Sequence, residues 1–80
     1  MTRVIPEYST DNFQLASYLL SAGYPILKLD KNNPRRAQFY FEESTSLREE
    51  VKRFISYEAV VEPHRYFSAQ KDIKQLLYAD

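Results

Sequence analysis

Residues Arg36 to Glu42 alternate with a period of two. Ala37, Phe39 and Phe41 fall on one side of an extended chain, and Arg36, Gln38, Tyr40 and Glu42 on the other. A segment of this kind is a half-buried strand, and two phenylalanines on one face demand an apolar layer against them. The rest of the chain must therefore supply a partner strand and something to lie on the phenylalanine side.

Tyr24 to Asp30 reads as the partner, returning through the loop Lys31-Asn32-Asn33-Pro34-Arg35. Opposed residues of an antiparallel pair share a face, so a register can be tested for consistency. With Leu27 opposite Phe39, Leu29 meets Ala37 and Pro25 meets Phe41 on the core side. Ile26 then meets Tyr40, Lys28 meets Gln38, and Asp30 meets Arg36 as an opposite-charge pair on the second face.

The apolar layer comes from three helical stretches. Ser9 to Asn12 offers capping side chains, and Asp11 suits the positive end of a helix dipole. The helix that follows carries Phe13, Leu15, Ala16, Tyr18, Leu19, Leu20 and Ala22, leaving only Gln14, Ser17 and Ser21 polar. So broad a stripe marks a helix buried on more than one side, either centrally within the fold or at a self-association surface. Gly23, the one glycine in the chain, stands where a left-handed cap is needed.

A second helix is expected from Ser46, with Glu49 at capping-box spacing, to about Tyr57, its stripe formed by Leu47, Val51, Phe54 and Ile55. Ala59-Val60-Val61 is expected as a short strand. Pro63 then takes a first-turn position in a last helix striped by Tyr66, Ala69, Ile73, Leu76 and Leu77, with Phe67 beside it. At the start, Arg3 to Tyr8 is β-branched at Val4 and Ile5 but interrupted by Pro6, which suits an edge strand or an extended arm.

The resulting order is that of a small two-layer α+β sandwich, β-α-β-β-α-β in the ferredoxin-like manner with an added C-terminal helix. The alternative is a β-hairpin with three helices, if the first and last strands fail to form. Residues 1–80 are expected to make a single domain, since no linker, repeat or low-complexity tract interrupts them. Aromatics are 15% of the chain, with seven tyrosines and five phenylalanines, so rings supply much of the core.

Chemistry has little to work with. There is one histidine, His64, and no cysteine, so neither a metal centre of these ligands nor a thiolate nucleophile can be built within one chain. His64, Ser68 and Asp72 could form a triad on paper, but no nucleophile elbow or glycine-rich oxyanion loop accompanies them. The adjacent pairs Glu42-Glu43 and Glu49-Glu50 diverge on a strand and on a helix. Phosphate, dinucleotide and calcium loops are excluded for want of glycine. No catalytic residue, cofactor, metal or small-molecule substrate is therefore expected. No apolar stretch has the length of a signal peptide or a membrane span, and a cytoplasmic location is expected.

Eleven basic and eleven acidic residues balance to zero, so a polyanion partner would have to be met locally. Four of the basic residues, Lys28, Lys31, Arg35 and Arg36, lie between positions 28 and 36 against the single acid Asp30. With Gln38 and Tyr40 beside them on the second face, which also holds Tyr24 and Ile26 in this register, they form the candidate contact surface. Aromatic rings among basic side chains on an open sheet can stack and neutralise single-stranded nucleic acid. Alternatively the last helix buries its stripe on this face, leaving only the basic tip exposed.

The stretch Thr10-Asp11-Asn12-Phe13-Gln14-Leu15-Ala16-Ser17-Tyr18-Leu19-Leu20 with Gly23, then Gln38-Phe39-Tyr40-Phe41-Glu42, then Val60-Val61-Glu62-Pro63 with Lys74 and Leu77, resembles a family of small bacterial and phage proteins known only as a domain of unknown function. The resemblance covers nearly the whole chain and departs from the family pattern at Glu62, where aspartate is expected before the proline to cap the last helix. It implies a compact intracellular domain of the kind found near mobile elements, and it assigns no activity. The expectation is a non-enzymatic binding module acting on a macromolecule through the hairpin, or a structural or regulatory protein that contacts other proteins as a homodimer.

Overall fold

The structure is a computed structural model that describes residues 6–32 and 36–78. Its elements in chain order are β1 (Glu7–Thr10), α1 (Phe13–Ser21), β2 (Ile26–Asp30), β3 (Gln38–Glu42), α2 (Thr45–Ile55) and α3 (Pro63–Tyr78). The strands form one sheet in the order β1-β3-β2, with β3 antiparallel to both neighbours. β1 and β2 are thus joined through α1 with β3 slotted between them, a split βαβ unit. The class is α+β, as expected. Arg3 to Ile5, where an edge strand or extended arm was expected to begin, lie outside the described residues, and β1 takes in Ser9 and Thr10.

Both central rings sit against the helices. Phe39 and Phe41 are buried in a cluster with Leu15, Leu19, Leu47, Val51 and Ile73, and each such side chain withdrawn from water is worth about 2 kcal/mol. The register of the hairpin differs from the expected one. Leu29 rather than Leu27 lies opposite Phe39, Lys28 lies opposite Tyr40, Asp30 opposite Gln38, and Ile26 opposite Phe41. The pairs from Lys28 to Asp30 are shifted by two residues, which keeps Leu29 on the core side, and a bulge between Ile26 and Lys28 then switches the face of β2 beyond it. Ile26 therefore turns inward, and Leu27, expected in the core, is 44% exposed.

α1 is the middle helix. Its five consecutive residues Leu15 to Leu19 are buried, so the fold itself takes up most of its broad stripe. Asn12 caps it, its Oδ1 accepting from the Leu15 amide at 3.1 Å. α2 lies along one flank: the Tyr18 and Phe54 rings are 5.8 Å apart and the Tyr18 hydroxyl donates to the Glu50 carboxylate. α3 lies along the other, with Ala69 and Ile73 buried.

Both flanking helices run against α1. Tyr24, just past the end of α1, reaches Ser46 in the first turn of α2, and the Lys74 ammonium near the end of α3 lies 5.9 Å over Phe13 at the start of α1. α2 and α3 are consequently parallel, and residues 56–62 must travel back the length of a helix to join them. That return takes up Ala59 to Val61. They form no strand; Ala59 packs against the core while Val60 is 88% exposed.

The caps of α2 and α3 follow from short polar side chains and from one long one. Ser44, not Ser46, caps α2, its Oγ accepting from the Leu47 amide at 3.1 Å. Ser46 instead accepts from the Tyr24 hydroxyl at 2.8 Å. α2 ends at Ile55, two residues earlier than expected, and Tyr57 beyond it is left-handed at φ 63°. Before α3, Glu62 does what the shorter aspartate would do: its Oε2 accepts from the Arg65 amide at 2.8 Å, with Pro63 following.

Candidate functional site

All three helices contribute to the cluster around Phe39 and Phe41, which leaves the opposite face of the sheet bare. Alternation along the strands puts Glu7 and Ser9 of β1, Gln38, Tyr40 and Glu42 of β3, and Lys28 and Asp30 of β2 on that face. α3 does not cover it. Tyr40 is half-buried and stands apart from the core, with the Lys28 ammonium 4.7 Å from its ring centre. The expected contact residues Lys28, Gln38 and Tyr40 are therefore brought together.

Tyr24 and Ile26 are not on this face. Tyr24 packs on the core and bonds Ser46, while the bulge turns Ile26 inward. In their place stand Glu7 and Ser9, which the sequence did not assign to this face, beside Glu42, which alternation along β3 did. The signal for β1 was present in the alternation of Glu7 and Ser9 with Tyr8 and Thr10, and it was masked by the capping chemistry of Ser9 and Thr10.

The basic residues are already engaged. Lys28 approaches Glu7 at 3.5 Å, and Arg36 meets Asp11 at 2.6 Å rather than the expected Asp30. Lys31 donates to the Leu76 carbonyl at 3.2 Å, tying the end of β2 to α3. Arg35 lies outside the described residues. Each of the two ion pairs is solvent-exposed, where such contacts contribute under about 1 kcal/mol. A phosphate or carboxylate of a partner can replace either carboxylate at little cost.

The remaining chemistry is dispersed. His64, Ser68 and Asp72 do share a side of α3, along a shallow depression with Leu20 and Ser21. Among the described residues no hydrogen bond links the three, and all are exposed. Glu43 pairs with Arg48, and Glu50 with Tyr18 and Arg53, so neither adjacent carboxylate pair acts together. Burial raises the Tyr8 hydroxyl above its usual range. Burial, and next the hydrogen bond to Glu50, push Tyr18 up to about 12. Both tyrosines lie on the core side, away from the bare face.

Among the described residues no group of three histidine, aspartate or glutamate side chains could hold a metal ion. None of their helices is long and apolar enough to cross a membrane. Neither the curated proteins nor the solved structures with which the chain was compared contain a match. A family model does match, over residues 6–79: the chain belongs to the family described as Domain of unknown function (DUF5659).

Proposed function

We propose that this chain is a non-enzymatic binding module of the phage or mobile-element kind, which meets a macromolecule on the bare face of its sheet. Lys28, Gln38 and Tyr40 form the centre of the contact, and Lys31, Arg35 and Arg36, from the stretch of sequence between β2 and β3, its rim. The observation that supports this reading is that all three helices lie on one side of the sheet, so Tyr40 and its neighbouring donors face outward.

Single-stranded nucleic acid suits that chemistry: a base stacks on an outward-facing tyrosine for about 1–3 kcal/mol, and Lys28 and Arg36 exchange their carboxylates for phosphates. Fluorescence polarisation of a labelled single-stranded oligonucleotide, repeated over a range of salt, tests it. Affinity should fall steeply with salt, Tyr40→Ala should weaken binding throughout, and Arg36→Ala should flatten the salt slope. Binding indifferent to salt would remove nucleic acid as the partner.

A second reading, a regulatory protein acting as a homodimer, is favoured by a different observation. Ile55, Tyr57 and Val60 are exposed around one turn, on a chain too small to spare apolar surface.

A further inference from the structure

We infer that the turn ending α2 is a self-complementary contact on which two copies of this chain meet about a two-fold axis. The inference rests on the homodimer reading and adds the surface and the pairing.

Ile55 has the spacing of a core residue on α2, yet it is 68% exposed; Tyr57 is 96% exposed. With Val60 they crowd three apolar side chains into six residues of chain. Tyr57 also holds a backbone conformation that glycine adopts freely and tyrosine does not, at φ 63°. Among the described residues its side chain makes no hydrogen bond or ring contact that would explain its presence there. An aromatic ring kept outward at a strained position serves a contact outside the fold.

The charges beside the patch indicate what the contact is. Lys52 precedes the apolar trio and Glu58 lies within it, and among the described residues neither side chain has an ion-pair partner. Nearby Arg53 is taken by Glu50, and the Glu62 carboxylate is used as the cap of α3. A surface of uniform charge would attract one of the two free groups and repel the other. A second copy, rotated by two-fold symmetry, sets each Lys52 against the other copy's Glu58 with Ile55 and Tyr57 between them. Three apolar side chains make a small contact beside the ~800 Å² per partner of stable complexes, so a weak dimer is expected, with Kd on the order of 100 μM.

Sedimentation velocity on the full chain, from about 10 μM to about 1 mM to bracket that Kd, should show a reversible monomer–dimer equilibrium. Tyr57→Gly should raise the melting temperature by relieving the backbone while weakening association about tenfold, so loss of folding cannot explain the result. Lys52→Glu alone should weaken the dimer, and Lys52→Glu combined with Glu58→Lys should restore it. A chain that stays monomeric over the whole range overturns both the homodimer reading and this surface. A dimer unmoved by Tyr57→Gly, or not restored by the charge exchange, overturns the surface alone.

Discussion

The ends of α1 and α2 are built on the same backbone hydrogen bonds from opposite materials. After α1 the Tyr24 amide donates to the Leu19 carbonyl at 3.0 Å and Gly23 to Leu20 at 3.1 Å. After α2 the Glu58 amide donates to Arg53 at 2.8 Å and Tyr57 to Phe54 at 3.3 Å. Both are Schellman closures, with a left-handed residue at the turning point. At the first, that residue is Gly23, and the flanking pair Leu19 and Tyr24 packs into the core. At the second it is Tyr57, and the flanking pair is Arg53 and Glu58, both exposed. A closure held by packing with a conformationally free residue is a structural joint. The other, strained and turned outward, is shaped by something besides the stability of this chain.

The contrast can be broken most forcefully at the flanking leucine. Leu19→Ala should cost about 2–5 kcal/mol in chemical denaturation, because it empties a core site, whereas Arg53→Ala should cost under about 1 kcal/mol. Next, Gly23→Val should destabilise by about 2 kcal/mol. Beyond Gly23 and its two chain neighbours no atom of the described residues lies within 4 Å of the Cβ that would be added, so the loss is conformational and a good fit of the side chain cannot rescue it. Tyr57→Gly should move the other way, gaining up to about 1 kcal/mol. Equal costs at the two turns would erase the distinction drawn here.

The smallest effect at neutral pH comes from the hydroxyl that links the two helices. Tyr18 holds its proton more tightly when folded, up to about 12 against an ordinary 10.0. The folded chain therefore binds more protons than the unfolded one in that interval. Its stabilising contribution should be constant below pH 10 and lost as pH rises through about 12, and a denaturation series in Tyr18→Phe should lack that added slope.

Much of this architecture was legible in residue spacing. The period-two run at Phe39, the broad stripe of α1, Gly23 and Pro63 each name a local conformation with few alternatives, and each is found as expected. The register was not legible, because a two-residue shift leaves Leu29 and Phe39 on the same face and alternation cannot tell the two pairings apart, while the bulge that turns Ile26 inward depends on how β2 meets β3 in space. Val60 and Val61 are strand-forming side chains, but parallel flanking helices require a return, and tertiary demand outweighed propensity. At the proposed contact, Gln38 and Tyr40 followed from alternation alone. That Lys28 and Arg36 are met by Glu7 and Asp11 could not be read, since those acids come from a distant part of the chain.

The slot that β3 occupies between its neighbours also sets an order of assembly. β2 and β3 lie close in sequence, so that ladder can zip locally, while β1 must wait for α1 to fold back before Tyr8 can find Phe41. The strand nearest the amino end is thus last to dock and first to peel. In a hydrogen-exchange experiment its amides would trade with solvent well ahead of those shared by β2 and β3.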